Sequence, residues 1–249
     1  MVSGSTGVSH NGIFRGKNLG TIASLNEYLA FRTAHGIDDK SYKDLYLGDY
    51  FKIQDGTYNA VWMVAHFDYY YNRGDVASSR GVVLIPRTVC GNSKMNDTAD
   101  TTGAYKATIA NTTTCPAIAS ALQTILGSYL LSNKLLLSNL TNTSISSMAG
   151  GEINGASISW GWVASQCVLP NEIQIYGSTV FSSSCYDVGE ACEKFAVFNF
   201  INHIEYNRSD FWLRAVVSAT NFAVAPGVGY ANSSNANSSI SLRPLIYIG

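Results

Sequence analysis

Apolar positions along this chain change period several times, and each change predicts an element. Ile22, Leu25 and Leu29, with Tyr28 beside them, recur at helical spacing, so a helix is expected over residues 22–34, capped by Thr21 and ended by Gly36. A short turn is expected over residues 42–45. The period then shortens. Residues 50–53, a Gln-Asp-Gly turn at 54–56 and residues 57–67 read as a β-hairpin, and the run Val82, Val83, Leu84, Ile85 reads as a buried strand. Residues 90–111 are polar and read as a long surface loop with a helical turn in it. Behind Pro116, the positions Ile118, Ala121, Leu122, Ile125, Leu126, Tyr129 and Leu130 make the clearest amphipathic helix. Leu135, Leu136 and Leu137 fit a second short helix or a strand, and residues 138–159 read as loop around Gly150 and Gly151. Further strands are expected at 159–165, 168–169, 211–217, 222–225 and 242–248, with a short helix at 170–176. The apolar run at 195–201 fits either type.

This order, helices early and strands late, predicts an α+β fold: a single compact domain over residues 21–249 with an antiparallel sheet and flanking helices. Residues 1–20 are rich in Gly and Ser and read as an extended N-terminal arm outside the core. Ile13 and Phe14 are the isolated apolar pair in it. With Arg15 they are the candidates for anchoring the chain to a partner or to its own copies. Deleting residues 1–20 is expected to leave a folded domain.

Composition narrows the function. The 249 residues suffice for a large core, and the apolar fraction of 46% is ordinary. The charged fraction of 13% is about half the usual share of roughly 25%, with Ser, Thr and Asn in its place. Such a surface suits extracellular or virion exteriors. Net charge is -1, with no basic patch to neutralise a phosphate backbone, so no nucleic-acid partner is expected. No stretch approaches the roughly 18 apolar residues of a membrane span, and residues 1–18 lack the apolar segment of a secretory signal. The five cysteines, Cys90, Cys115, Cys167, Cys185 and Cys192, are odd in number and form no CxxC, so free and mostly buried thiols are expected.

No catalytic or metal motif emerges. His10, His35, His66 and His203 form no pair at helical spacing; His66 lies inside an apolar strand, where a structural role is expected. No nucleophile elbow or phosphate loop is present. The acids Asp49, Asp68, Asp75, Glu152, Glu172, Asp187 and Glu205 are scattered, and although two facing carboxylates suffice for a glycosidase, no local motif supports one. The Asn-x-Ser/Thr triplets at Asn96, Asn111, Asn139, Asn142, Asn207, Asn232 and Asn237 read as products of composition. A non-enzyme without cofactor or metal is therefore expected.

The C-terminal part carries the binding expectation. Apolar strands flank a short segment rich in amides and hydroxyls, with Gly227 and Gly229 for its turns. Asn221, Tyr230, Asn232, Asn235 and Asn237 are the candidate ligand face, of a kind that suits a sugar. Arg214 and Arg243 are expected to brace the loops by pairing with carboxylates or carbonyls.

Several segments carry a family resemblance: FWLRA at 211–215, SLRPL at 241–245, HNGIFRGKNLG at 10–20, LYLGDYFKI at 45–53, MNDTADTTGAY at 95–105 and IQIYGSTVFSSSCYDVG at 173–189. Together they resemble the head-fibre (capsid decoration) proteins of phages of gut Firmicutes, over nearly the whole chain. More loosely, the WLR and LRP elements are similar to C-type-lectin-like domains, although the calcium-binding motif of lectins is not reproduced. The resemblance implies a structural virion protein on the capsid exterior, made in the bacterial host cytoplasm. Its partners would be the major capsid protein and its own copies, as a trimer, with a host surface glycan as a further ligand. The alternative it implies is a host-recognition module of a tail fibre or baseplate.

Overall fold

The computed structural model describes residues 10–73, 79–141, 157–181, 193–206 and 208–249. In chain order the first elements are β1 (Asn18–Ile22), α1 (Leu25–Ala34), β2 (Tyr50–Ile53), β3 (Val61–Phe67), β4 (Val82–Pro86) and β5 (Asn92–Ser93). Then come α2 (Cys115–Leu126), β6 (Leu130–Leu131), β7 (Asn133–Thr141), β8 (Ser157–Ser165), β9 (Cys167–Val168) and α3 (Glu172–Tyr176). The C-terminal part is all strand: β10 (Phe211–Val216), β11 (Asn221–Ala225), β12 (Asn232–Asn235), β13 (Ile240–Ser241) and β14 (Leu245–Ile248).

Helix ends follow local chemistry. Helix α1 starts three residues later than its apolar period implies, because Thr21 and Ile22 are taken into β1, opposite Lys52 and Ile53. Ser24 takes over the cap and accepts the Glu27 amide, while the Glu27 carboxylate accepts the Ala23 amide at 2.6 Å. Helix α2 carries Pro116 in its first turn, follows a π-helical turn at Ala110–Thr114, and stops at Gly127, whose φ of 56° no helix accommodates. Its buried residues include Ile118, Leu122, Ile125 and Leu126.

Strands β1-β2-β3-β4-β14-β6 form one sheet in that order, with β9 also pairing β14. Strands β12-β11-β10-β13-β5 form a second, and β7 pairs β8 as a separate hairpin. Strands β3 and β4 are buried almost throughout, which is why they read as continuous apolar runs rather than alternations. Pairing is mostly antiparallel, but β1–β2 and β10–β13 are parallel. The result is a mixed α+β compact domain with several sheets and few helices, and strands occur from its beginning to its end. No helix among the described residues is long and apolar enough to cross a membrane.

The expected loops are partly sheet. Leu135–Leu137 lie in β7, and both flanks of the presumed 138–159 loop are strand; residues 142–156 lie outside the described residues. Residues 232–235, expected as loop, are the edge strand β12, paired with β11 from Asn221↔Asn235 to Val224↔Asn232.

The arm requires the largest correction. Its described part, from residue 10, is tied into the domain. The Asn11 side chain bridges the Phe67 backbone, Phe14 bridges Leu47, and β1 adds a strand to the first sheet. Arg15 reaches the fully buried Asp49 through Nε at 3.0 Å and Nη2 at 2.6 Å, and also pairs with Asp44. The amides of Lys17 and Tyr46 donate to the same Asp49 carboxylate at 2.9 Å each. Asp49 in the core needs a counter-charge, and residues 10–20 supply it. A boundary at residue 20 therefore cuts through the folded unit.

Candidate functional site

The two sheets meet at two buried arginines. The chain leaves β13 in the second sheet and enters β14 in the first through residues 242–244. Arg243, 1% exposed, donates from Nε to the Pro86 carbonyl at 2.6 Å and from Nη1 to the His203 carbonyl at 2.5 Å. Phe198 and Phe211 lie beside its guanidinium. Burial pushes its pKa down to about 9, so it still carries its charge at neutral pH. Arg214 reaches the Leu169 carbonyl. Both arginines thus brace carbonyls, and Arg243 fixes the backbone of His203.

Around that brace, three short segments converge. Asn171 caps α3 through a reciprocal capping box with Gln174, and Gly177, at φ 92°, ends it after Tyr176. The second segment is a 3-10 turn at Ala196–Asn199. It is fastened by the Phe195 amide to the Gln174 carbonyl and by the Ala196 amide to His66 Nδ1, at 2.8 and 3.0 Å. His66 therefore has the structural role expected of it. Burial and the nearby Arg73 push its pKa down to about 4. The third segment is the turn after β11. The Gly229 amide closes on the Pro226 carbonyl, Gly229 sits at φ 96°, and the Gly227 amide donates to Asp210.

Between them lies a cavity of about 290 Å³, bordered by Tyr176, Lys194, Phe200, Asn202, His203 and Gly229, among others. His203 is 5% exposed and packs edge-on between Tyr176 and Phe211. One of its ring nitrogens is bonded to Pro226, which has no N–H, so the imidazole donates to the carbonyl. The unbonded nitrogen is Nε2, buried and with no partner among the described residues. The donor is therefore Nδ1, and Nε2 presents a lone pair. Burial first, then the Arg243 charge, pushes the His203 pKa down to about 4, so the ring is neutral at pH 7.

The rim is aromatic. Phe200 is 48% exposed and stacks at 6.0 Å on Phe14. Gly48 leaves the space that Phe14 fills, since a Cβ there would collide with its ring. Tyr230 and Val228 are 58% and 69% exposed on the neighbouring turn, and the Tyr176 hydroxyl reaches the Tyr230 carbonyl at 3.4 Å. Among the described residues, Lys194 supplies the only charge in the lining, its stem lying against Gly177. A second cavity, of about 320 Å³, lies between α2 and β8, and among the described residues its lining has neither an aromatic nor a charged side chain.

The sequence-predicted residues are redistributed. Phe14, expected to insert into a partner, braces the rim from below; Arg15 is spent on Asp49 and Asp44; Ile13 stays 42% exposed. Tyr230 and Asn232 lie at the cavity end of β12. Asn221, Asn235 and Asn237 lie at its other end, where the Asn221 side chain bonds Ser233. Asn232 and Asn235 thus stand at opposite ends of β12. Sequence reasoning missed His203, Phe200, Tyr176 and Asn202, although the run FNFINH at 198–203 alternates aromatics and amides ahead of a histidine. Cys90, Cys115 and Cys167 are free and buried; Cys185 and Cys192 lie outside the described residues. Among the described residues no cluster of metal-ligating side chains occurs. No family model matches the chain, and no match was found among curated proteins or solved structures.

Proposed function

We propose that this chain is a non-catalytic virion surface protein of the head-fibre or capsid decoration class, and that its outer face binds a ligand through the cavity at His203. The observation that carries the binding reading is the pairing of a rigid floor with an exposed aromatic rim. Arg243 and His66 immobilise the floor, while Phe200 and Tyr230 hold large apolar surface in solvent. Exposed aromatics beside amides are the usual means of contacting a ligand that is part apolar, part hydroxylated. The low charge and the Ser/Thr/Asn-rich surface support a place on a particle exterior. The head-fibre reading itself rests on the segments quoted from the sequence. With it go attachment to the major capsid protein, trimeric assembly and a C-type-lectin-like relationship of the C-terminal part.

A tail-fibre or baseplate host-recognition module is the second reading, favoured by the same aromatic rim. Immunogold labelling of virions with antibody against this chain separates the two. Label distributed over the capsid supports the head-fibre assignment; label confined to the tail tip overturns it in favour of host recognition.

A further inference from the structure

We infer that the cavity at His203 takes a single anionic pyranose unit, a uronic acid or a sugar with an equivalent carboxylate. This specifies the ligand of the binding face proposed above and rests on that reading.

The size comes first. About 290 Å³ is at the bottom of the roughly 300–1,000 Å³ range of ligand pockets, so it admits one ring rather than an extended chain. The polar chemistry selects further. A buried polar atom without a partner is rare in a folded protein and calls for one. His203 Nε2 is such an atom, and the bond from Nδ1 to the Pro226 carbonyl fixes it as an acceptor. Its partner must bring an O–H or N–H. Asn202 already uses its side-chain oxygen on the Ile204 amide, which leaves its NH₂ to donate to a ligand oxygen. A ring bearing several hydroxyls satisfies both, since each hydroxyl donates and accepts.

The rim and the charge complete the selection. Phe200 offers a half-exposed ring, held in place by Phe14 behind it, on which the apolar face of a pyranose can lie. Lys194 brings a positive charge, and among the described residues no carboxylate lines the cavity to offset it. Buried Arg243 adds a second positive charge behind His203. An anion is attracted here, and an amino sugar is repelled by the same charges.

The test uses the full chain and three soluble probes: methyl β-D-glucuronide, methyl β-D-glucoside and D-glucosamine, titrated by calorimetry and by ligand-observed NMR. The glucuronide should bind, the glucoside about tenfold more weakly, the usual worth of one charge-assisted contact, and glucosamine not at all. Lys194→Gln should bring the glucuronide down to the glucoside's affinity, and Phe200→Ala should weaken both. Equal binding of glucuronide and glucoside, an unchanged Lys194→Gln variant, or no binding of any probe overturns the inference. Adhesion of the chain to host cells tests the underlying reading separately. Loss of adhesion in Phe200→Ala, with no probe bound, refutes the anionic sugar and keeps the binding face. Unchanged adhesion in Phe200→Ala refutes the binding face itself.

Discussion

Asp49 and His203 are both polar and both buried, yet they differ in how completely they are satisfied. Asp49 receives two donors from Arg15 and the backbone amides of Lys17 and Tyr46. His203 gives one bond to Pro226 and keeps an unpartnered Nε2 beside a cavity. A fully paired buried charge is a structural device, costly to break because its partner is left uncompensated. A half-paired buried ring beside open space is a site. The same difference separates the two groups of residues that the sequence offered. Arg15 closes the fold, while Tyr230 stays exposed on the turn beside Gly229, which lines the cavity.

The largest effect should come from breaking the saturated member of the pair. Arg15→Ala strands the Asp49 carboxylate and should cost about 3 kcal/mol, read as a lower urea midpoint in equilibrium unfolding. Deleting residues 1–20 should cost more, since β1 and the Asn11 contacts go as well. A variant within about 0.5 kcal/mol of the parent, the range of ordinary surface changes, would mean that Asp49 does not depend on the arm.

Acid comes next. His66 and His203 have pKa values near 4 in the folded chain, below the ordinary 6.5 of the unfolded one. Between these values the unfolded state binds more protons, so stability falls as pH drops from about 6.5 toward 4. Each histidine can contribute up to about 3 kcal/mol to that loss. Urea unfolding at pH 7, 5.5 and 4.5 measures it, and His203→Gln should flatten the slope. A slope unchanged in that variant would show that His203 titrates normally.

Smaller still is His203→Phe. The ring packing between Tyr176 and Phe211 survives, and only the bond to Pro226 is lost, about 1 kcal/mol. Glucuronide binding should nevertheless disappear; retained binding would remove the imidazole from the site. The smallest stability effects, within about 0.5 kcal/mol, belong to Tyr230→Ala and Asn235→Ala. Adhesion should separate them. Tyr230→Ala weakens it and Asn235→Ala leaves it intact, because the two residues lie at opposite ends of β12. Equal losses would support the single face that the sequence implied.

What the sequence made legible follows from period. Strands β3 and β4 and helix α2 bury enough apolar side chains in regular order to be read directly. Strand β12 was not legible, because NSSN carries no apolar alternation and is held only by its pairing to β11. Strand β1 was hidden for a related reason: its parallel pairing with β2 is a long-range contact that a Gly-rich stretch does not announce. The site was half legible. Tyr230 and the two glycines of its turn stood out by composition. His203 did not, because a lone histidine says nothing until Arg243, 40 residues away, is seen to hold its carbonyl. Phe14 reads in the sequence as an isolated apolar residue for a partner, since nothing local reveals the space above Gly48.

The most direct measurement is the imidazole ¹⁵N spectrum of His203 during titration with methyl β-D-glucuronide at pH 7. The account predicts a neutral ring with its proton on Nδ1, a Nε2 resonance that moves with the calorimetric saturation curve, and a Nδ1 resonance that stays near its starting value. A Nε2 resonance unmoved at saturating glucuronide, or a ring already half protonated near pH 6.5, would contradict it.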